Sequence, residues 1–365
     1  MKLHLVSGFL GSGKTTAISL ACNQLMQNGL GVGVITNDQG INLVDSGFFR
    51  SLSIPIRQVI NGCFCCNFNQ LDQSLQSLID SERPGIIFAE SVGSCTDIVA
   101  TVLNPLSHFH PDIQITVSAF ADSRLLLTLL QGNFTPFDEE VNYIYNKQLE
   151  EAGIMVMNKI DLLEAKDLKE LKRLAGERFR DKILLYQNSL NKGSIARWLE
   201  ELDNPQPASS NSPLEINYDL YASGEAKLAW VDQEILIESA TKNAIEEASV
   251  LISKIHSGIK ENNFAIGHLK FLLNGNTKLS YTTAGEADAR IMESEKAFFA
   301  TLLINARVQT EPGTLARLIE DSIKEIETST GCKIITREIS AFQPGFPSAT
   351  YRMADPFINS QPGGG

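Results

Sequence analysis

Short apolar runs alternate with amphipathic stretches of helical period from residue 2 to residue 203. The runs KLHLVSG (2–8), VGVITND (32–38), PIRQVI (55–60), GIIFAES (85–91), QITVSAFAD (114–122), GIMVMNKID (153–161) and KILLYQNS (182–189) are largely apolar, which predicts strands buried on both faces. Between them, GKTTAISLACNQLMQNG (13–29), FNQLDQSLQSLIDS (68–81) and AKDLKELKRLAGERF (165–179) carry apolar positions at helical spacing. Buried strands separated by helices predict an α/β unit with a mostly parallel sheet covered on both faces.

The stretch DNPQPASSNSPLE breaks this rhythm with Pro, Ser and Asn. It predicts a linker at 204–213 between a first domain, 1–203, and a second, 214–346. The second pattern differs. Strands are expected near 214–222, 226–237, 266–273, 277–283 and 301–310, with a last one in CKIITREISAF (332–342). Helices are expected over 241–262 and in EPGTLARLIEDSIKEIETSTG (311–331). Strands outnumber helices, so a smaller α+β domain of ferredoxin-like type is expected. Residues 347–365 read as a tail, with INSQPGGG disordered.

Composition narrows the partners. Hydrophobic residues make up 43% and charged residues 20%, as in a soluble globular protein. A net charge of −12, with no basic stripe, argues against nucleic acid. No apolar run approaches the ~20 residues of a membrane span. The opening MKLHLVSGFLGSGK does not read as a signal peptide, so a cytoplasmic location with reduced cysteines is expected.

GFLGSGKT, Gly8 to Thr15, follows the first strand, opens a helix and matches G-x-x-x-x-G-K-[ST]. Gly8, Gly11 and Gly13 let the backbone curl around phosphate oxygens, with Ser12 and Thr16 completing the cradle. Lys14 is placed to reach the β- and γ-phosphates, and the Thr15 hydroxyl to ligate Mg²⁺. Later in the same sheet, MNKIDLL supplies Asn158, Lys159 and Asp161. A carboxylate accepts the paired donors that guanine offers and adenine lacks, so Asp161 points to GTP and GDP. Ser189, at the end of the next strand, is a candidate to back the base with a main-chain N–H.

Two segments are placed to sense nucleotide state. NDQGINLVD contributes Asp38 and Asp45, either of which can alternatively cap a helix. ESVG contributes Glu90, for Mg²⁺ or the attacking water, and Gly93, whose N–H can approach the γ-phosphate. Lys14, Glu90 and Asp38 are the catalytic candidates, and no arginine finger is evident.

NGCFCCNF places Cys63, Cys65 and Cys66 in one turn. The spacing suits metal thiolates better than a redox pair or buried packing, with zinc leading and Co²⁺ or Cu⁺ as alternatives. No Cys or His close in sequence supplies a fourth ligand. Cys22 reads as core and Cys332 as structural. Cys95, beside ESVG, is close enough to approach the cluster, though packing is the expectation.

Taken in order, GFLGSGKTT, NDQG…VD, GCFCC, ESVG and NKID resemble the CobW-like family of P-loop GTPases, related to the GTPases that insert nickel into urease and hydrogenase. The resemblance covers roughly residues 1–200. It implies a P-loop domain that couples GTP hydrolysis to metal binding at Cys63, Cys65 and Cys66, with delivery to a client metalloprotein. It leaves open a nucleotide-dependent homodimer. It also leaves open an alternative role, as an assembly or reactivation factor for a corrinoid enzyme.

Overall fold

The computed structural model describes residues 1–365 except 39, 41–43, 134, 205–212, 286–295 and 355–365. The expected linker and the INSQPGGG end therefore lie almost wholly outside the described residues. Among those described, the chain builds two sheets. The first holds β1 (Lys2–Gly8), β2 (Val32–Asn37), β3 (Ile56–Val59), β4 (Ile86–Glu90), β5 (Gln114–Asp122), β6 (Ile154–Asn158) and β7 (Ile183–Gln187), in the order β3-β2-β4-β1-β5-β6-β7. All of its pairings are parallel. The helices are α1 (Lys14–Gln27), α2 (Val44–Ser51), α3 (Phe68–Glu82), α4 (Asn104–Phe109), α5 (Ser123–Leu130), α6 (Glu139–Glu151), α7 (Ala165–Arg178), α8 (Lys192–Asp203), α9 (Tyr218–Ala226), α10 (Ala244–Glu261) and α11 (Pro312–Thr330).

Alternation along the strands divides the core in two. Leu3 and Leu5 face a layer with Leu71 and Leu75 of α3 and Tyr145 of α6. Val6, Phe88 and Phe120 face Ile18 of α1 and Trp198 of α8. A parallel sheet buried on both faces follows, as the apolar runs require. Parallel strands also bring their C-terminal ends to one edge. The phosphate loop, Asp38, the cysteine turn, Glu90 and Lys159 each follow such an end.

The second sheet holds β8 (Leu228–Glu238), β9 (Ile266–Leu273), β10 (Thr277–Tyr281), β11 (Phe299–Gln309) and β12 (Lys333–Phe342), in the order β10-β9-β11-β8-β12. Its pairings are antiparallel. Without β10, the order and the helices α10 and α11 are those of a ferredoxin-like βαββαβ unit, and β10 is an added edge strand. Its core packs Leu251, Ile255, Ile319 and Ile323 on Ile235, Phe271 and Ile304.

Two expectations are corrected. Residues 214–222 are not a strand: Tyr218–Ala226 is α9. The Asn217 side chain accepts from the N–H groups of Asp219 and Leu220, a helix cap. Gly224 lies flat on α6, where an added Cβ would sit 2.4 Å from the Glu140 carbonyl. Residues 347–354 do not project as a tail. They run back over the cysteine turn as a strap, with the Thr350 N–H donating to the Cys65 carbonyl (2.8 Å) and the Met353 N–H to the Ala100 carbonyl (2.8 Å).

Candidate nucleotide and metal site

The phosphate loop is shaped by steric necessity. Gly8 has φ +123°, and a Cβ there would lie 2.1 Å from the Phe120 carbonyl oxygen of β5. Gly13 has φ +92° and abuts the Asn158 amide. Side chains are excluded at both positions, which leaves the backbone free to curl. The Lys14 ammonium folds onto the loop itself, donating to the carbonyls of Gly8 (2.6 Å) and Phe9 (3.3 Å). Burial lowers its pKa from 10.5 to about 8, against the pull of Glu90.

The Thr15 hydroxyl donates to Glu90 Oε1 at 2.8 Å. Glu90 is buried, its pKa is raised by that burial, and its Oε2 has no partner. A buried carboxylate oxygen without a donor calls for a cation, so Thr15 and Glu90 fit Mg²⁺ as oxygen donors. Gly93 comes so close to the loop that a Cβ would meet the Leu10 backbone at 2.9 Å.

Asn158 and Lys159 tie the base side to the phosphate loop. The Asn158 amide donates to the Ser12 carbonyl (2.8 Å), and Lys159 Nζ donates to the Gly11 carbonyl (2.7 Å) and pairs with Asp122 (3.0 Å). The Ser189 N–H and hydroxyl both go to Asn158 Oδ1, at 3.1 and 2.8 Å. That N–H orients Asn158 instead of opening toward a base. Asp161 is exposed and lines a cavity of about 420 Å³ together with residues 11–16, Asp38, Glu90, Gly93 and Asn188.

The three thiols converge. Cys63 Sγ lies 2.7 Å from Cys65 Sγ and 3.1 Å from Cys66 Sγ, and Cys65 and Cys66 are 3.8 Å apart. None is in a disulfide. Tetrahedral zinc with Zn–S of ~2.3 Å sets S···S near ~3.8 Å. One edge already has that length, and Cys63 needs to move out by about 1 Å to fit. Hydrogen bonds from the neighbouring thiols hold Cys63 well below the usual thiol pKa. Cys95 is buried in the same core as Cys63 and influences that thiol, but among the described residues the group close enough to share one ion is Cys63, Cys65 and Cys66. On the outer side, the Ser348 N–H of the strap donates to Cys66 Sγ at 3.3 Å.

The cysteine turn is stapled to the nucleotide side. At the end of β2, the Asn37 side chain makes both links: its Oδ1 accepts from the Phe64 N–H (2.8 Å) and its Nδ2 donates to the Gly62 carbonyl (2.7 Å). Cys95 follows Glu90 and Gly93 on one loop, which Gln148 of α6 holds through the carbonyls of Gly93 (3.0 Å) and Cys95 (2.8 Å).

This arrangement of phosphate loop and thiol turn agrees with comparison to known proteins. Residues 2–183 match the family described as CobW/HypB/UreG, nucleotide-binding domain. Through this domain the chain belongs to the CobW/HypB/UreG family. It is 36% identical over 94 residues to the zinc chaperone YjiA of Escherichia coli, covering 25% of this chain and 29% of that protein. It is 28% identical over 197 residues to the zinc chaperone CobW of Sinorhizobium sp, covering 46% and 53%. The chain thus spans about half, or less, of the length of these curated relatives. HypB of Helicobacter pylori in complex with nickel is similar at 14% identity, TM-score 0.42, over 59% of this chain and 91% of that one. HypB of Archaeoglobus fulgidus is similar at 17%, TM-score 0.40, over 55% and 88%.

Beyond the CobW/HypB/UreG domain, the second sheet supplies site residues that the sequence reading missed. His268, Lys270, Lys278, Ser280 and Thr282 line the same cavity as the phosphate loop. Asp45 neither caps α2 nor stands free: its carboxylate pairs with Lys270 (2.5 Å) and Lys278 (2.6 Å). Asp38 pairs with Arg307 (2.9 Å), which also binds Asp232 (2.7 Å) and stacks on Trp230. The local signal was faint, a lysine inside the apolar strand IGHLKFLL and another in the short TKLSY.

Proposed function

We propose that this protein is a Mg²⁺-dependent GTPase acting as a metallochaperone. It binds zinc through Cys63, Cys65 and Cys66 and gives it up to a client metalloprotein. The observation that carries this reading is the attachment of the thiol turn to the end of β2 by the Asn37 side chain, a residue that also lines the nucleotide cavity. Lys14 and the phosphate-loop N–H groups hold the phosphates. Thr15 and Glu90 hold Mg²⁺, which supplies charge neutralisation at the phosphates when bound. Asp161 reads guanine, with Asn158 and Lys159 fixing the loop that carries it. A shift of Glu90 and Gly93 toward a γ-phosphate displaces Cys95 along the same loop and so changes the environment of Cys63. The zinc chaperones YjiA and CobW among its relatives support zinc as the cargo.

The test is a zinc competition titration in GDP and in a non-hydrolysable GTP analogue. Different zinc affinities are expected in the two states, and by linkage zinc must change nucleotide affinity by the same factor. Equal zinc affinities in both states would remove the coupling and leave a nucleotide hydrolase that carries an independent metal.

A further inference from the structure

We propose that Lys270 and Lys278, presented by the second sheet, bind the terminal phosphate of the bound nucleoside triphosphate, and that Asp45 occupies their site when that phosphate is absent. The proposal deepens the nucleotide reading above and rests on it.

The geometry is specific. Lys270 lies on β9 and Lys278 on β10, strands that pair with each other. Each ammonium takes a different oxygen of the one carboxylate, and side-chain exposures are 13% and 12% for the lysines and 17% for Asp45. A carboxylate receiving one cation on each oxygen presents what two oxygens of a phosphoryl group would present. All three groups line the cavity that holds the phosphate loop, Glu90 and Gly93.

Charge makes the same point. Among the described residues lining that cavity near the phosphate loop, Lys14 is spent on the loop's own carbonyls. Lys14, Lys270 and Lys278 then face two carboxylates, Asp45 and Glu90, so this part of the cavity holds one positive charge in excess. A buried ammonium in that position costs free energy until an anion meets it. A triphosphate arriving on the loop brings several negative charges, and the two lysines then neutralise charge on the transferring phosphoryl group, the work of an arginine finger supplied within one chain. Asp45 sits in the first turn of α2, the helix that follows the Asp38 segment. Its release would remove the ion pairs between α2 and the second sheet, leaving the Val44 N–H bond to Asn305 in place, so the triphosphate state is read by both domains.

A purely structural clamp between the domains would have the same ion pairs, and the two roles separate by experiment. Lys270→Met, Lys278→Met and Asp45→Asn are made in the full chain. Binding of fluorescent GTP and GDP is titrated with Mg²⁺, and GTP turnover is measured at saturation. Each lysine variant is expected to weaken GTP at least tenfold, to change GDP less than threefold and to lower turnover about a hundredfold. Asp45→Asn, which removes the competing anion, is expected to tighten GTP several-fold. Equal losses for GDP and GTP, no loss for either, or weaker GTP binding in Asp45→Asn overturns the proposal. Should a lysine variant fail to fold, the Asp45→Asn result decides alone. Wild-type protein that binds neither nucleotide removes the nucleotide reading itself, a result distinct from the others.

Discussion

Replacing Lys14 with Met should make the nucleotide-free protein more stable while abolishing its nucleotide binding. Lys14 is buried, and its pKa falls from 10.5 to about 8. At ~1.4 kcal/mol per unit, the folded state pays about 3 kcal/mol at most to keep that ammonium charged. Met fills much of the same volume without the charge. It also leaves the Gly8 and Phe9 carbonyls without the ammonium donor, at ~1 kcal/mol for each lost hydrogen bond. The net gain is about 1–2 kcal/mol. The sign with pH follows from linkage. Below pH 8 both folded and unfolded chains are protonated and the penalty is complete. Between pH 8 and 10.5 the unfolded chain holds a proton that the folded one has released, so wild-type stability rises with pH. Urea unfolding of both proteins, free of nucleotide and metal, at pH 7 and pH 10 tests this. Met should be ahead at pH 7, with the gap closing at pH 10. A Met variant less stable at pH 7, or a gap that does not change with pH, would refute the reasoning.

Other outcomes follow from the same structure. Gly8→Ala places a methyl against the Phe120 carbonyl at positive φ; a loss of about 3 kcal/mol or more is expected in thermal melts, and a wild-type melt would contradict the close approach. Cys95→Ser should weaken zinc at least about tenfold in a chelator competition, whereas Cys22→Ser, in the helix core, should not; equal affinities for all three would return Cys95 to simple packing. Asn37→Ala removes both bonds to the cysteine turn. It should leave zinc affinity in the GDP state near wild type but shrink the difference between GDP and GTP-analogue states. Tyr351→Ala removes the ring that packs on Phe68 and Phe109; faster alkylation of Cys66 than in wild type is the expected readout, and an unchanged rate would show that the strap does not shield it.

What was legible in the sequence was local. The five inner parallel strands announced themselves because burial on both faces makes each a nearly continuous apolar run, while the edge strands β3 and β7 are partly exposed and more mixed. The phosphate loop and the thiol turn are contiguous, so their chemistry is written in a few adjacent letters. The rest depends on distant pairing. Asp45 meets Lys270 and Lys278 across separations of 225 and 233 residues, and nothing near Asp45 signals two lysines. Cys95 was seen beside ESVG, and the packing of its loop under α6 buries it in the same core as Cys63. Residues 214–222 read as a strand because INYDLYA mixes apolar and polar residues at near-alternate positions. The Asn217 cap and the contact of Gly224 with α6 decide for helix, and the second of these exists only in the folded chain.

The strap has a consequence for how the protein is made. Ser348 and Thr350 finish the wall around Cys65 and Cys66, yet they are translated hundreds of residues after those thiols. Until they emerge from the ribosome, the nascent thiol turn lacks that outer wall. On the metal reading proposed above, selective loading therefore belongs to a chain synthesised through the strap, and crowding residue 354 would disturb the choice of metal before it disturbed folding.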